Sequence, residues 1–209
     1  MLIQIHPKTP ESRKIKQVVD CLESGGIIIY PTDTVYSIGC DMLNTKAVER
    51  VAWLKNVRVE KANFSLVCYD LSHLSEYSKP ISNQVFKLMK HTLPGPYTFI
   101  LEANRYIPKI FSAKKKTIGI RVPDNVIARE IVKQLGRPIM ATSVHDEDEI
   151  LEYTSDAEAI HDKFEKLVDL VIDGGPGGLE PSTILRCIGN EIEVMRVGKG
   201  SVDMLNHGR

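Results

Sequence analysis

The 209-residue sequence has no stretch approaching the ~20 consecutive apolar residues that cross a bilayer, and Gln4, His6 and Lys8 interrupt any signal-peptide core at its start. These absences predict a cytoplasmic protein with no membrane partner. Cysteine is sparse: Cys21, Cys40, Cys68 and Cys187 stand far apart without a C-x-x-C pair, which argues against a zinc ribbon or a dithiol motif and predicts free, mostly buried thiols. An excess of one charge is missing too. Lys plus Arg total 27 against 27 Asp plus Glu, so no whole-molecule field attracts polyanions and any nucleotide or nucleic-acid contact needs a local patch. The sequence also lacks G-x-x-x-x-G-K-[ST], a strand-linked G-x-G-x-x-G and H-E-x-x-H, which removes the P-loop, Rossmann and zincin readings.

What is present is the make-up of an ordinary folded domain. Charged residues are 26% and apolar residues 43%, far from disordered or fibrous composition. Thr9-Pro10 reads as N-cap and first helical residue, and Ile15, Val18, Val19 and Leu22 then recur at helical spacing up to a stop at Gly25-Gly26. Ile27, Ile28, Ile29 and Tyr30 form a strand buried on both faces. Helices are predicted over residues 45–54 and 82–91, and strands over 64–69, 97–101 and 117–122. Asp124 is expected to cap a helix ending at Gly136, ahead of a strand at 139–143, and Thr154 to cap the next helix. Strands at 168–172, 182–187 and 191–197 follow, the last two joined at Gly189-Asn190. No repeat or linker interrupts the series. It predicts a mixed α and β fold: one domain over residues 1–205, a twisted open mixed sheet with helices on both faces, and a frayed tail at 206–209.

The residues able to do chemistry gather at strand ends. Pro31-Thr32-Asp33-Thr34-Val35-Tyr36 follows a buried strand, where α/β sheets place ligand groups, although the same residues also make a plain turn. Lys55, Arg58 and Lys61 come at spacings of three after a helix, either as a cationic cluster for a polyphosphate or as a solvated helix end. In the 117–122 strand, Thr117, Gly119 and Arg121 share one face and Ile118, Ile120 and Val122 the other. Arg121 is thus either a fork for a carboxylate or half of a structural ion pair. Thr142 and Ser143 end a strand and can donate to a phosphate, with His145 beside them. Residues 93–99 read as scaffold, and Lys114, Lys115 and Lys116 as solvated loop. The loop at 174–178 has no helix behind it to hold a phosphate and reads as a mobile turn or lid.

In combination these segments resemble the threonylcarbamoyl-AMP synthase family, the YrdC-like domain, from about Thr9 to Gly200. The resemblance is carried by G-G-I-I-I-Y-P-T-D-T-V-Y-S-I-G-C-D at 25–41, P-G-P-Y-T-F at 94–99, T-I-G-I-R-V-P at 117–123, A-T-S at 141–143, P-S-T-I at 181–184 and R-V-G at 196–198. It implies an enzyme that makes threonylcarbamoyl-AMP from threonine, bicarbonate and ATP with Mg²⁺, releasing pyrophosphate, for modification of adenosine 37 in tRNA. By the same resemblance Thr34, Arg121 and Ser182 would hold threonine. Lys55, Lys61, Thr117, Ser143 and Arg196 would line the ATP side, with Lys55, Arg58 and Lys61 as electrostatic groups and no acid or base assigned. A metal-binding residue is not implied.

The chain departs from the family pattern in places. K-x-R-P-x-x-K-P-L reads here Lys55-Asn56-Val57-Arg58-Val59-Glu60-Lys61-Ala62-Asn63, with the Arg one position later. Cys68 stands for a His, and S-x-N becomes Ser143-Val144-His145, followed by the carboxylates Asp146, Glu147, Asp148 and Glu149. These changes resemble the YciO branch. The rival reading is a non-enzymatic protein that binds double-stranded RNA or tRNA through the same concavity, with Lys55, Lys61, Lys114, Lys115 and Lys116 on phosphates. Replacing Arg121 by Ala is expected to abolish amino-acid recognition with little loss of fold.

Overall fold

The alternation of apolar residues decides which way each strand faces. In β2 (Ile27–Tyr30), Ile27 and Ile29 enter one core while Ile28 and Tyr30 enter the other, and all four are fully buried. The computed structural model describes residues 1–112, 116–144 and 155–205. Among them, β2 joins β1 (Leu2–Gln4), β3 (Ser37–Asp41), β4 (Ser65–Val67), β5 (Tyr97–Glu102), β6 (Thr117–Arg121), β7 (Ile139–Ser143), β8 (Leu170–Asp173), β9 (Thr183–Ile188) and β10 (Glu191–Arg196) in one sheet. Its order is β1-β8-β2-β3-β7-β4-β6-β5-β9-β10. Pairing is parallel at β1/β8, β2/β8, β4/β6 and β5/β9 and antiparallel elsewhere, so the sheet is mixed.

Helices cover both faces. Apolar stripes of α1 (Ser12–Glu23) and α6 (Val126–Leu135) pack on Ile28, Tyr30, Ile139, Leu170 and Ile172. The opposite face receives α2 (Thr45–Leu54), α3 (Leu71–Ser75), α4 (Asn83–Thr92) and α7 (Ala157–Phe164), over Ile38, Leu66, Ile120 and Met140. A short α5 (Lys109–Ser112) precedes β6. The expected mixed sheet with helices on both faces is the observed architecture. No described helix is long and apolar enough to cross a membrane.

Local chemistry ends the helices. The α1 stop at Gly25 and Gly26 is a Schellman motif: Gly25 N–H donates to the Leu22 carbonyl and Gly26 N–H to that of Cys21, with Gly25 left-handed at φ 84°. The same motif ends α2, where Asn56 takes the left-handed position at φ 51° and the chain turns away. Gly136 closes α6 as expected.

Three expected caps are corrected. Helix α1 begins at Ser12 behind Glu11, because His6 Nδ1 accepts N–H groups of Lys8 and Thr9 and contacts the Thr9 hydroxyl, holding 6–9 as a turn. Asn125, not Asp124, caps α6 by accepting from Ala128 N–H. Asp156 caps α7 by accepting from Ala159 N–H, and Thr154 lies outside the described residues, as do Lys114, Lys115, His145, the carboxylates at 146–149 and the tail at 206–209. Strands β1 and β3 had no expectation. The Ser-Ile-Gly-Cys-Asp of β3 carries too little β-branched character to stand out.

Candidate functional site

Helices α1 and α6 cover only one end of their sheet face. Toward the other end the register lines up Ser37 with Ser143, Ala141 with Ser65, Ser65 with Gly119, Gly119 with Ile100, and Thr98 with Ile184. These side chains are mostly small, so the uncovered face sinks into a cavity of about 390 Å³. Around its floor stand Val59, Phe64, Phe111 and Met195 as apolar wall and Arg121 and Arg196 as cations. Ser37, Ser65, Thr98, Thr117, Thr142, Ser143 and Ser182 also line it. Such a lining suits an anion attached to a flat apolar group.

Arg121 enters from the end of β6, on the face that alternation assigns to it. Its Nη2 donates to Asp33 Oδ1 at 2.9 Å and to Thr34 Oγ1 at 3.0 Å. Arg121 thus closes a structural ion pair, with side chains only 9% and 7% exposed, and also lines the cavity. Thr34 is fully buried and reaches the cavity through Arg121 rather than lining it. Thr32 shapes this turn, donating from its hydroxyl to the Val35 carbonyl and accepting the Thr34 N–H.

Arg196 reaches the site through an irregularity. Val194 pairs with Leu185, but the next pair is Arg196 with Ile184, so Met195 is an extra residue and the strand bulges. A regular ladder would set Met195 opposite Ile184 and turn Arg196 to the other face. With the bulge both line the cavity. Arg196 Nε and Nη2 donate to the Ser182 carbonyl at 3.1 and 2.9 Å, and Ser182 Oγ meets Thr98 Oγ1 at 2.8 Å. Thr98 belongs to the segment read as scaffold. Only the sheet register shows its hydroxyl on the cavity side.

Of the sequence candidates, Arg121, Ser182, Thr117, Ser143 and Arg196 converge on this cavity. Lys55, Arg58 and Lys61 are not among its described lining residues. Lys55 is the C-cap of α2, Arg58 is exposed in the turn that follows, and Lys61 is exposed next to Ala62 and Asn63, which do line it. Cys68 packs in the opposite core, fully buried, and burial pushes its thiol well above the ordinary value. The other expectation of buried, unpaired thiols also holds for Cys40 and Cys187, with Cys21 half-buried.

The loop at 174–178 is tied down rather than loose. Tyr36 Oη donates to the Gly175 carbonyl at 2.7 Å, Gly178 N–H to the Thr34 carbonyl at 2.7 Å, and Gly177 N–H to that of Ser155 at 2.8 Å. Burial pushes the Tyr36 phenol up to about 12, which keeps it a donor. Lys199, which no motif singled out, donates from Nζ to the Asp33 carbonyl at 2.6 Å and so pins the turn from a third segment.

A family profile described as Telomere recombination, covering Sua5, YciO and YrdC, matches residues 20–198. The chain belongs to the Sua5–YciO–YrdC family. Within it, the uncharacterized protein YciO of Escherichia coli is 42% identical over 200 residues, 95% of each chain. Its crystal structure superposes with a TM-score of 0.88, covering 97% of both chains at 41% identity. More distant is a threonylcarbamoyl-AMP synthase of Coxiella burnetii, 27% identical over 84% of this chain and 92% of that one. P. abyssi Sua5, solved in complex with L-threonine, shares the fold at a TM-score of 0.87 and 24% identity, over 99% of this chain and 60% of that one. The strands that line the cavity, β3–β7, β9 and β10, lie wholly within the segment matched by the family profile.

Proposed function

We propose that this chain is a nucleotide-dependent adenylyl-transfer enzyme of the threonylcarbamoyl-AMP synthase type. Threonine, bicarbonate and MgATP are its substrates, and the product serves modification of tRNA adenosine 37. One observation carries the reading: two arginines and a set of serines and threonines from separate strands and loops line a single cavity of about 390 Å³ beside an apolar wall. The synthase relative and the threonine complex of Sua5 support it.

In this reading the Arg121 guanidinium takes the threonine carboxylate, with Thr34 and Ser182 around it. The amine condenses with bicarbonate, losing water, and the resulting carbamate oxygen attacks the α-phosphorus as the bond to pyrophosphate breaks. Arg196, Thr117 and Ser143 face the nucleotide. Lys55, Arg58 and Lys61, on the segment leading to Ala62 and Asn63, supply positive charge near the departing pyrophosphate. Catalysis rests on positioning and electrostatics, and no side chain is assigned as acid or base. The described lining holds no carboxylate, and the described residues hold no group of three metal-ligating side chains. In this reading Mg²⁺ comes with ATP as part of the substrate.

The test is pyrophosphate release from MgATP and bicarbonate, comparing threonine with no amino acid and with a panel of others. Release that depends on threonine is expected. Release with none of them overturns the reading, and salt-sensitive RNA binding indifferent to threonine would then favour a nucleic-acid-binding role.

A further inference from the structure

Thr98, which reads from sequence as scaffold, stands in line with both arginines of the cavity. The register sets Ile184 between Thr98 and Arg196, and carrying the β5–β6 ladder one residue beyond the pair of Phe99 and Ile120 sets Thr98 opposite Arg121. Arg121, Thr98, Ile184 and Arg196 thus form one row across β6, β5, β9 and β10, and all four line the cavity. With neighbouring strands about 4.8 Å apart, Thr98 is one step from Arg121 and two from Arg196.

The Thr98 side chain is engaged on both branches. Its Oγ1 meets Ser182 Oγ at 2.8 Å, and its methyl Cγ2 lies 3.3 Å from where a Cβ on Gly119 would stand. Thr98 and Ser182 are both buried. Their two hydroxyls hold two protons, of which one lies in the bond between them and the other has no acceptor among the described residues. Ser182 Oγ also accepts from Arg196 Nη2 at 3.4 Å, and that neighbouring charge makes Ser182 the stronger donor of the pair.

We infer that Thr98 is a positioning residue of the amino-acid subsite: it donates to Ser182 Oγ and so commits the Ser182 hydroxyl as a donor to the carboxylate beside Arg121. The inference rests on the amino-acid reading above and extends it to a residue that does its work through another. With Thr98 and Arg196 both donating to it, Ser182 Oγ has its two lone pairs filled, and its own proton is the one left for an anion in the cavity. Each donor in the series from Thr98 through Ser182 to the carboxylate polarises the next.

Calorimetric titration of the full chain with L-threonine, and separately with ATP, tests this in the wild type, Thr98→Val, Thr98→Ser, Ser182→Ala and the double variant Thr98→Val, Ser182→Ala. Valine keeps the methyl beside Gly119 and loses the hydroxyl; serine keeps the hydroxyl and loses the methyl. Thr98→Val should weaken threonine by about fivefold or more and Thr98→Ser by less than about twofold, with ATP changed by less than about threefold in both. Because Thr98 acts through Ser182, the double variant should bind threonine no more weakly than Ser182→Ala alone. A packing role answers to the methyl instead, so serine as damaging as valine overturns the inference. Losses that add in the double variant overturn it too, as does a loss confined to ATP or unchanged threonine affinity in Thr98→Val. Should Thr98→Val fail to fold, Thr98→Ala against Thr98→Ser, which both lack the methyl, isolates the hydroxyl: equal affinity for threonine overturns the inference. A wild type that binds ATP but no threonine overturns the amino-acid reading itself, and the inference with it.

Discussion

Arg196 stands opposite Ile184 only because β10 carries one more residue than β9 between consecutive pairs, and that residue is Met195. The bulge brings a second guanidinium to a cavity that already holds Arg121. Bulges re-aim side chains beside sites in this way.

Arg196→Ala should therefore weaken ATP binding by about tenfold or more, the worth of a charge-assisted hydrogen bond. Arg196→Lys should not restore it, since an ammonium cannot give two in-plane donors to the Ser182 carbonyl and still reach a phosphate. Calorimetry with ATP checks both variants. Wild-type affinity in Arg196→Ala would remove this residue from the nucleotide side.

Arg121→Ala should abolish threonine binding and also cost stability, which changes the expectation from sequence. It strands Asp33, whose side chain is 7% exposed, as a buried charge without its partner. Such losses run to about 3–5 kcal/mol. The double variant Arg121→Ala, Asp33→Asn should regain part of that, as read from urea midpoints, because it removes the stranded charge.

Gly198→Ala should destabilise by about 1–3 kcal/mol and disturb the cavity together. A Cβ there would stand 2.2 Å from the Pro181 carbonyl oxygen and 2.8 Å from that of Ser182, both of them backbone atoms. The Gly198 N–H also donates to Thr183 Oγ1. A melting temperature equal to that of the wild type would show that the segments part more easily than this packing implies.

His73 makes stability depend on pH. Its ring is stacked on Tyr69 and edge-on to Tyr77, its Nε2 is buried without a partner, and desolvation lowers its pKa below 6.5 despite Glu76 and Asp70 nearby. The unfolded chain binds the proton more readily, so this contribution is complete above about pH 6.5 and is lost as pH falls toward the folded value. Replacing His73 by Phe keeps a ring in the stack and removes the proton site. The melting temperature of His73→Phe should fall less than that of the wild type between pH 7.5 and 5.5.

Much of the fold was legible because its cause is local. The Ile15, Val18, Val19 and Leu22 stripe, the Gly25 stop and the all-buried Ile27, Ile28, Ile29 and Tyr30 run can each be read within a few residues. Caps were harder. Asp124 and Asn125 are both good capping residues, and only the folded backbone shows that Asn125 accepts from Ala128 N–H. Strand β3 stayed hidden because Ser37, Gly39 and Asp41 look like turn residues until β2 and β7 pair with them.

The sequence by itself determined the set of chemical groups and their faces: Arg121 opposite in sense to Ile120, hydroxyls at strand ends, small residues at Ser65, Gly119 and Ala141. Periodicity of two along a strand depends on nothing but the chain's own geometry. Only the tertiary structure decided which strands lie side by side, so that those small residues align into one hollow. It also decided that Arg121 faces Asp33 across 88 positions of sequence and that the 174–178 loop is pinned to Thr34 and Tyr36. Register, bulge and buried charge pairing are relations between distant segments, and they exist only once those segments have packed.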